Sequence, residues 1–195
     1  LNSAGLTLKD AFLELTEPWT SWKHTLTAGQ FKWPFGYEVL QSSSAREMPE
    51  RTRVVRALFP GERDRGLMLS GTDARKRVRY QIAVVNGSGT GETNDPNSRK
   101  DLVGHVTWDF GAVDVGASVY RGADLVAVST HAGSMEFPKR RLGVEAQWST
   151  PIGLALRGEY ITGEQSPPAG TARTASFDVN GWYVYVLQNV GKPNL

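Results

Sequence analysis

Residues 101–122 read DLVGHVTWDFGAVDVGASVYRG, from Asp101 to Gly122. Two alternating runs meet at Gly111-Ala112. Leu102, Gly104, Val106, Trp108 and Phe110 fall on one face of the first run, and Val103, His105, Thr107 and Asp109 on the other. Val113, Val115, Ala117 and Val119 share a face of the second run, opposed by Asp114, Gly116, Ser118 and Tyr120. A period of two with a glycine hinge predicts a β-hairpin with one apolar and one mostly polar side. What decides the fold is whether the apolar side meets a protein core or lipid.

Working outward, the same alternation gives about nine strands: Leu8–Thr16, Lys23–Trp33, Arg65–Gly71, Lys76–Asn86, Asp101–Phe110, Val113–Gly122, Lys139–Ser149, Ile152–Gly163 and Thr174–Gln188. No amphipathic helix of useful length is expected. The connections alternate in length. EPWTSW, TDAR, GA and TP are short, whereas the segment 34–64, GSGTGETNDPNSRK, ADLVAVSTHAGSMEFP and EQSPPAGTAR are long. In an antiparallel meander, alternate connections lie at the same end, so one rim carries short turns and the other long loops. Transmembrane β-barrels have this asymmetry. Trp19, Trp22, Trp108, Phe110 and Trp148 sit at or near the short turns, and Tyr120 and Tyr160 towards the long loops. Such rings favour the headgroup zone of a membrane.

Composition agrees. The chain has 195 residues, 39% of them hydrophobic, and no run approaches the roughly 18 apolar residues a membrane helix needs. Membrane strands escape that test because lipid-facing and lumen-facing residues average out. There is no cysteine, so disulfides and thiolate metal sites are absent. A net charge of +2 is too small for a general polyanion binder, and no nucleic-acid partner is expected. The chain opens at Leu1 without Met or a signal peptide and reads as a mature or truncated chain. Arg77, Arg79 and Gln81 oppose Val78, Tyr80, Ile82 and Val84. Arg141, Gly143, Glu145 and Gln147 oppose Leu142, Val144, Ala146 and Trp148. Gly153, Ala155, Arg157 and Glu159 oppose Ile152, Leu154 and Leu156. A recurrent arginine–glutamate face suits a water-filled lumen. The expected fold is all-β, an antiparallel meander forming part of a transmembrane β-barrel, with Val84, Val106, Val115, Val144 and Leu154 facing lipid. The competing fold is a soluble β-sandwich or ligand-binding barrel with those residues in a core.

Several stretches resemble the phosphate-selective porin O/P family of bacterial outer membranes: GQFKWPFGYE (29–38), ALFPGERDRGLMLSG (57–71) and RYQIAVVNGSG (79–89), with looser matches at RRLGVEAQW (140–148) and GLALRGEYITGE (153–164). The resemblance implies a sixteen-stranded homotrimeric barrel in the outer membrane, surrounded by membrane lipids and passing small anions, phosphate among them, passively. It implies no enzyme activity and no cofactor. About nine strands cannot close the usual even-numbered barrel, and the ending NVGKPNL lacks a terminal aromatic strand. The chain therefore reads as a central segment, or the ordered part of a longer chain: one unit over 1–195, with a long loop at 34–64 expected to fold into the lumen.

An anion pathway needs fixed positive charge that attracts without trapping, and arginine offers a planar fork that stays charged. The candidates are Arg77 and Arg79 on one strand face, Lys32, the loop residues Arg51, Arg53 and Arg56, and the wall residues Arg141 and Arg157. Acidic residues in the same loop make "anion" a safer assignment than "phosphate". Weaker motifs are set aside. GSGTG (87–91) precedes no helix and reads as a loop rather than a phosphate cradle. His105, Asp109 and Ser118 share the polar face and raise the remote alternative of an outer-membrane hydrolase, without an oxyanion donor. Asp109 faces Asp114 near the turn. His24, His105 and His131 show no metal spacing.

Overall fold

The computed structural model describes residues 8–90, 95, 97–129 and 133–189; His131 and the end of the chain from position 190 lie outside them. Nine strands form one antiparallel sheet in chain order: β1 (Ala11–Thr16), β2 (Thr25–Lys32), β3 (Arg63–Thr72), β4 (Val78–Val85), β5 (Asp101–Asp109), β6 (Val113–Ala127), β7 (Ser134–Ser149), β8 (Leu154–Gln165) and β9 (Phe177–Gln188). The sheet is not closed, and β1 and β9 are its edges. Short connections between β1 and β2, β3 and β4, β5 and β6, and β7 and β8 share one end.

The opening hairpin pairs as its alternation requires, with His105 opposite Ser118 and Asp109 opposite Asp114. The stretch ADLVAVSTHAGSMEFP departs from expectation. Instead of a long loop, β6 and β7 continue through most of it, in register from Gly122 and Lys139 to Ala127 and Ser134. The alternation persists there: Val126, Val128 and Phe137 form a small buried cluster, while Leu125 is exposed. Pro138 is tolerated because β7 pairs there with β6 alone, its β8 partner starting only at Arg140. A short helix not expected from sequence, α1 (Arg53–Leu58), lies between β2 and β3 and buries Val55 and Leu58, three residues apart.

One face of the sheet, called outer here, is apolar. Register joins Leu15, Leu26, Leu69, Ile82, Gly104, Val119 and Leu142 into one transverse row. The next row towards the short turns is Tyr80, Val106, Ala117, Val144, Tyr160 and Trp182. Leu142 is 58% and Val144 56% exposed, and Trp108 and Trp148 lie exposed closer to the short turns. Val84 is also exposed; Val106, Val115 and Leu154 are half-buried, and none of the five residues expected to face lipid belongs to a buried cluster. Among the described residues there is no second sheet for this face to pack against.

The core sits on the other, inner face. There the connection 33–62 lies across the strands and supplies Trp33, Phe35, Val39, Val55, Leu58 and Phe59 to a cluster completed by Val103, Tyr120, Ile161, Tyr183 and Tyr185 of the wall. Burying each such side chain contributes roughly 1.5–3 kcal/mol, which is what draws a strongly charged segment onto the sheet. Tyr120 is a correction to the aromatic-belt expectation. It points inward, 1% exposed, and its hydroxyl donates to Asp101. The reason is its position in the alternation, on the polar face with Ser118 and Gly116.

Candidate functional site

The inner wall is built in rows. Arg79, Thr107, Gly116, Glu145, Glu159 and Tyr183 stand side by side across six strands. Around them the wall carries fixed charge of both signs, and the connection 33–62 docks against it. Docking needs backbone room, and glycine provides it. A Cβ at Gly143 would stand 2.9 Å from the Phe35 ring, and one at Gly181 would stand 2.6 Å from Val54 Cγ2. Gly36 N donates to Ser118 Oγ at 2.8 Å, and Tyr185 donates its hydroxyl to Glu38 at 2.7 Å. Glu38 also receives Thr52 N at 3.0 Å, tying the two halves of the connection together.

The candidate anion-pathway residues divide into two groups. Arg51 is buried. Its guanidinium forms an ion pair with Glu62 and donates to the carbonyls of Glu38 and Gln41. Lys32 donates to the carbonyls of Leu40 and Gln41. Arg141, also buried, donates to Gln165 at 2.6 Å and lies over the rings of Phe59 and Tyr120, at 4.6 and 5.0 Å from their centroids. Arg157 meets Glu47 and the Tyr37 hydroxyl. These four basic groups fasten the connection to itself or to the wall. Burial pushes the Tyr37 phenol above its ordinary range against the opposing charge of Arg157, so it remains a proton donor to Glu47. Burial also raises the Glu62 carboxyl, but the Arg51 hydrogen bond and the charges of Arg51, Lys32 and Arg63 outweigh it and hold the group below the ordinary carboxylate range.

The second group is exposed. Arg79 reaches Thr107 Oγ1 at 3.2 Å and Asp114 at 4.0 Å. Arg77 stands one residue before β4 begins at Val78, where its carbonyl accepts from Asp109 N at 2.7 Å, and its side chain is exposed like that of Arg79. Arg53 and Arg56 occupy the exposed side of α1, and Arg56 pairs with Glu50 at 2.6 Å. A cavity of about 430 Å³ opens between the docked connection and the wall, lined by Tyr37, Gln41, Arg79, Gln81, Thr107 and Gln147 among others. Such a space can hold a small polar solute beside a charged guanidinium.

Sequence reasoning missed several inner groups. Lys139, 5% exposed, binds Asp124 at 2.6 Å, Asp101 at 3.3 Å and the Gly87 carbonyl at 2.9 Å. Asp64, fully buried, accepts from Gly87 N and Arg65 N, each at 2.7 Å, which explains the glycine turn without any phosphate. The alternation through 139–147 carried the signal for Lys139. No local pattern marked Asp64, whose partners lie far along the chain. His105 meets Glu145 at 2.9 Å, Ser118 is occupied by Gly36, and Asp109 hydrogen-bonds the Gly111 N–H in its own turn. The three do not assemble into a catalytic set. His24 lies beside Tyr80 and Trp22, away from His105.

None of the curated proteins and none of the solved structures compared matches the chain. A family model described as "Phosphate-selective porin O and P" matches residues 2–127, which takes in β1 to β6 and the docked connection. A porin family is not an enzymatic one. The match spans well over half of a meander that is apolar outside and charged inside, and the chain belongs to the phosphate-selective porin O and P family of outer-membrane porins.

Proposed function

We propose that this chain forms part of the wall of an outer-membrane porin that passes small anions, phosphate among them, passively, with the connection 34–64 narrowing the lumen. The observation that carries this reading is the inverted distribution of polarity. The outer face exposes rows of leucine, valine and tryptophan, while charged groups such as Lys139, Arg141 and Glu159 are buried on the inner face. Water would leave those rows unburied, whereas hydrocarbon covers them without a second protein layer. Further strands completing an even-numbered barrel, sixteen in the family pattern, would satisfy the open edges of β1 and β9, and such barrels assemble as homotrimers. Arg79 faces the cavity and is the primary contributor to anion attraction, with Arg77, Arg53 and Arg56 adding to the field. Lys32, Arg51, Arg141 and Arg157 act by holding the narrowing segment in place.

The test is reversal potential across a salt gradient with the full-length porin in a planar bilayer. Arg79→Gln is expected to lower anion preference, most at about 0.01–0.1 M salt, where the screening length is long. A parent that forms no conducting pore would sink the porin reading. A variant that matches the parent would remove Arg79 from the pathway.

A further inference from the structure

On the outer face, β6 and β7 carry two arginines directly opposite one another, Arg121 and Arg140. Both are exposed, and their inward neighbours Tyr120, Lys139 and Arg141 are buried, so the two guanidinium groups belong to the outer surface. Like charges facing across a strand pair destabilise it. The acidic groups nearest in the row are Glu164, opposite Arg140 on β8, and Asp178 beyond it on β9. Among the described residues, neither arginine takes part in an ion pair, with these carboxylates or with any other. Arg99, at the same rim, is occupied by Glu136.

The position is specific in depth. Arg121 and Arg140 are the next outward-facing pair beyond Val119 and Leu142 of the apolar row, on the side of the long connections, with the inward pair Tyr120 and Arg141 between. A shallow cavity of about 500 Å³ runs from Arg121 and Arg140 down over Val119, Leu142 and Thr162, with Glu164 and Asp178 along its side, and a second of about 290 Å³ continues above the arginines to Ala123, Pro138, Arg99 and Glu136. The upper cavity sets three arginines against one carboxylate, Glu136, which Arg99 already pairs, and the lower one runs over Val119 and Leu142; that order matches a molecule with an anionic head and a hydrocarbon tail. Arginine's fork suits the oxygens of a phosphate.

We propose that Arg121 and Arg140 form a binding site for the headgroup phosphate of a membrane lipid, whose acyl chain lies along Val119 and Leu142. The proposal rests on the reading of the outer face as lipid-facing. The bound phosphate offsets the repulsion between the two guanidinium groups and fixes the depth of the wall at its long-loop rim. It concerns the outside of the barrel and is separate from any anion site in the lumen.

The test uses the full-length porin in neutral detergent, with phosphatidylglycerol as the probe and lipid retention read by native mass spectrometry. Diacylglycerol serves as the headgroup-free control and inorganic phosphate as the chain-free competitor. The parent is expected to retain phosphatidylglycerol over diacylglycerol, and Arg121→Gln with Arg140→Gln to weaken that retention about tenfold. The paired lysine variant is expected to keep most of it. Equal retention by the glutamine variant, or retention of diacylglycerol as strong as that of phosphatidylglycerol, overturns the proposal. So does complete displacement by inorganic phosphate, which would mark a free-anion site, or loss of oligomer with unchanged lipid retention, which would mark a subunit contact. Conductance of the parent in bilayers is measured in parallel. A conducting porin without the lipid effect defeats this inference alone, and a protein that never inserts defeats the membrane reading beneath it.

Discussion

At the scale of single residues, the basic groups on the inner face do different work according to how their hydrogen-bonding capacity is spent. Arg51 gives its guanidinium to Glu62 and to two carbonyls from within the buried part of the connection. Removing one partner of a buried pair strands the other, at a cost of roughly 3–5 kcal/mol. Glu62 is a quarter exposed, so Arg51→Gln is expected near or below the lower end of that range. Urea unfolding and limited proteolysis within 41–50 would read the loss. The same pair has a pH signature. Glu62 is held below its ordinary value of 4.5, so its contribution is complete above that value and disappears as pH falls through the lowered one. Parent stability should decline on acidification below pH 4.5, and Glu62→Gln should flatten that part of the profile. An unchanged acid limb in the variant would assign the sensitivity to other carboxylates.

At the scale of elements, the connection between β2 and β3 is a packed part of the wall rather than a solvated loop. Its aromatic residues stack in a small nest, with Phe59 centred 4.6 Å from Phe35 and 5.6 Å from Trp33. Gly143 and Gly181 leave the hollows that receive Phe35 and Val54. Gly143→Val is expected to push the Phe35 ring away and to destabilise the protein by about 1–3 kcal/mol, the usual cost of overfilling a packed site. If the segment narrows a lumen, the same variant should raise single-channel conductance. Stability and conductance both unchanged would mean that the Phe35 contact does not hold the segment. How much of this was legible differs along the element. The spacing of Trp33, Phe35 and Val39 was an available signal for burial, and so was that of Val55 and Leu58. The dense charge between Arg46 and Arg65 masked it, because charge density reads as solvation unless the partners are known. The β6–β7 extension was hidden by Pro138, a residue that punctuates a sequence even where the ladder continues on one side.

At the scale of the whole molecule, the outer face predicts how the protein responds to its surroundings. Val144 lies in the middle of the exposed apolar rows. Val144→Arg is expected to cost about 2–4 kcal/mol of folding free energy in a bilayer if the residue is near the midplane, and less near an interface. Unfolding titrations in lipid vesicles would measure it. No change would place Val144 away from hydrocarbon. The sequence by itself determined nine strands (though not how far β6 and β7 extend), their antiparallel order, the rim of short turns and the two faces, because a period of two and the turn residues are local properties. It also marked the family through GQFKWPFGYE and its neighbours. Only the tertiary structure decided which charges are spent and which are open. Arg51 and Arg79 are alike as letters. One is enclosed by a segment folded back on itself, while the other stands in a row whose neighbours come from other strands. Tyr120 turned inward to Asp101, Gly143 made room for Phe35, and Arg121 met Arg140, because register brings together residues that no local window contains.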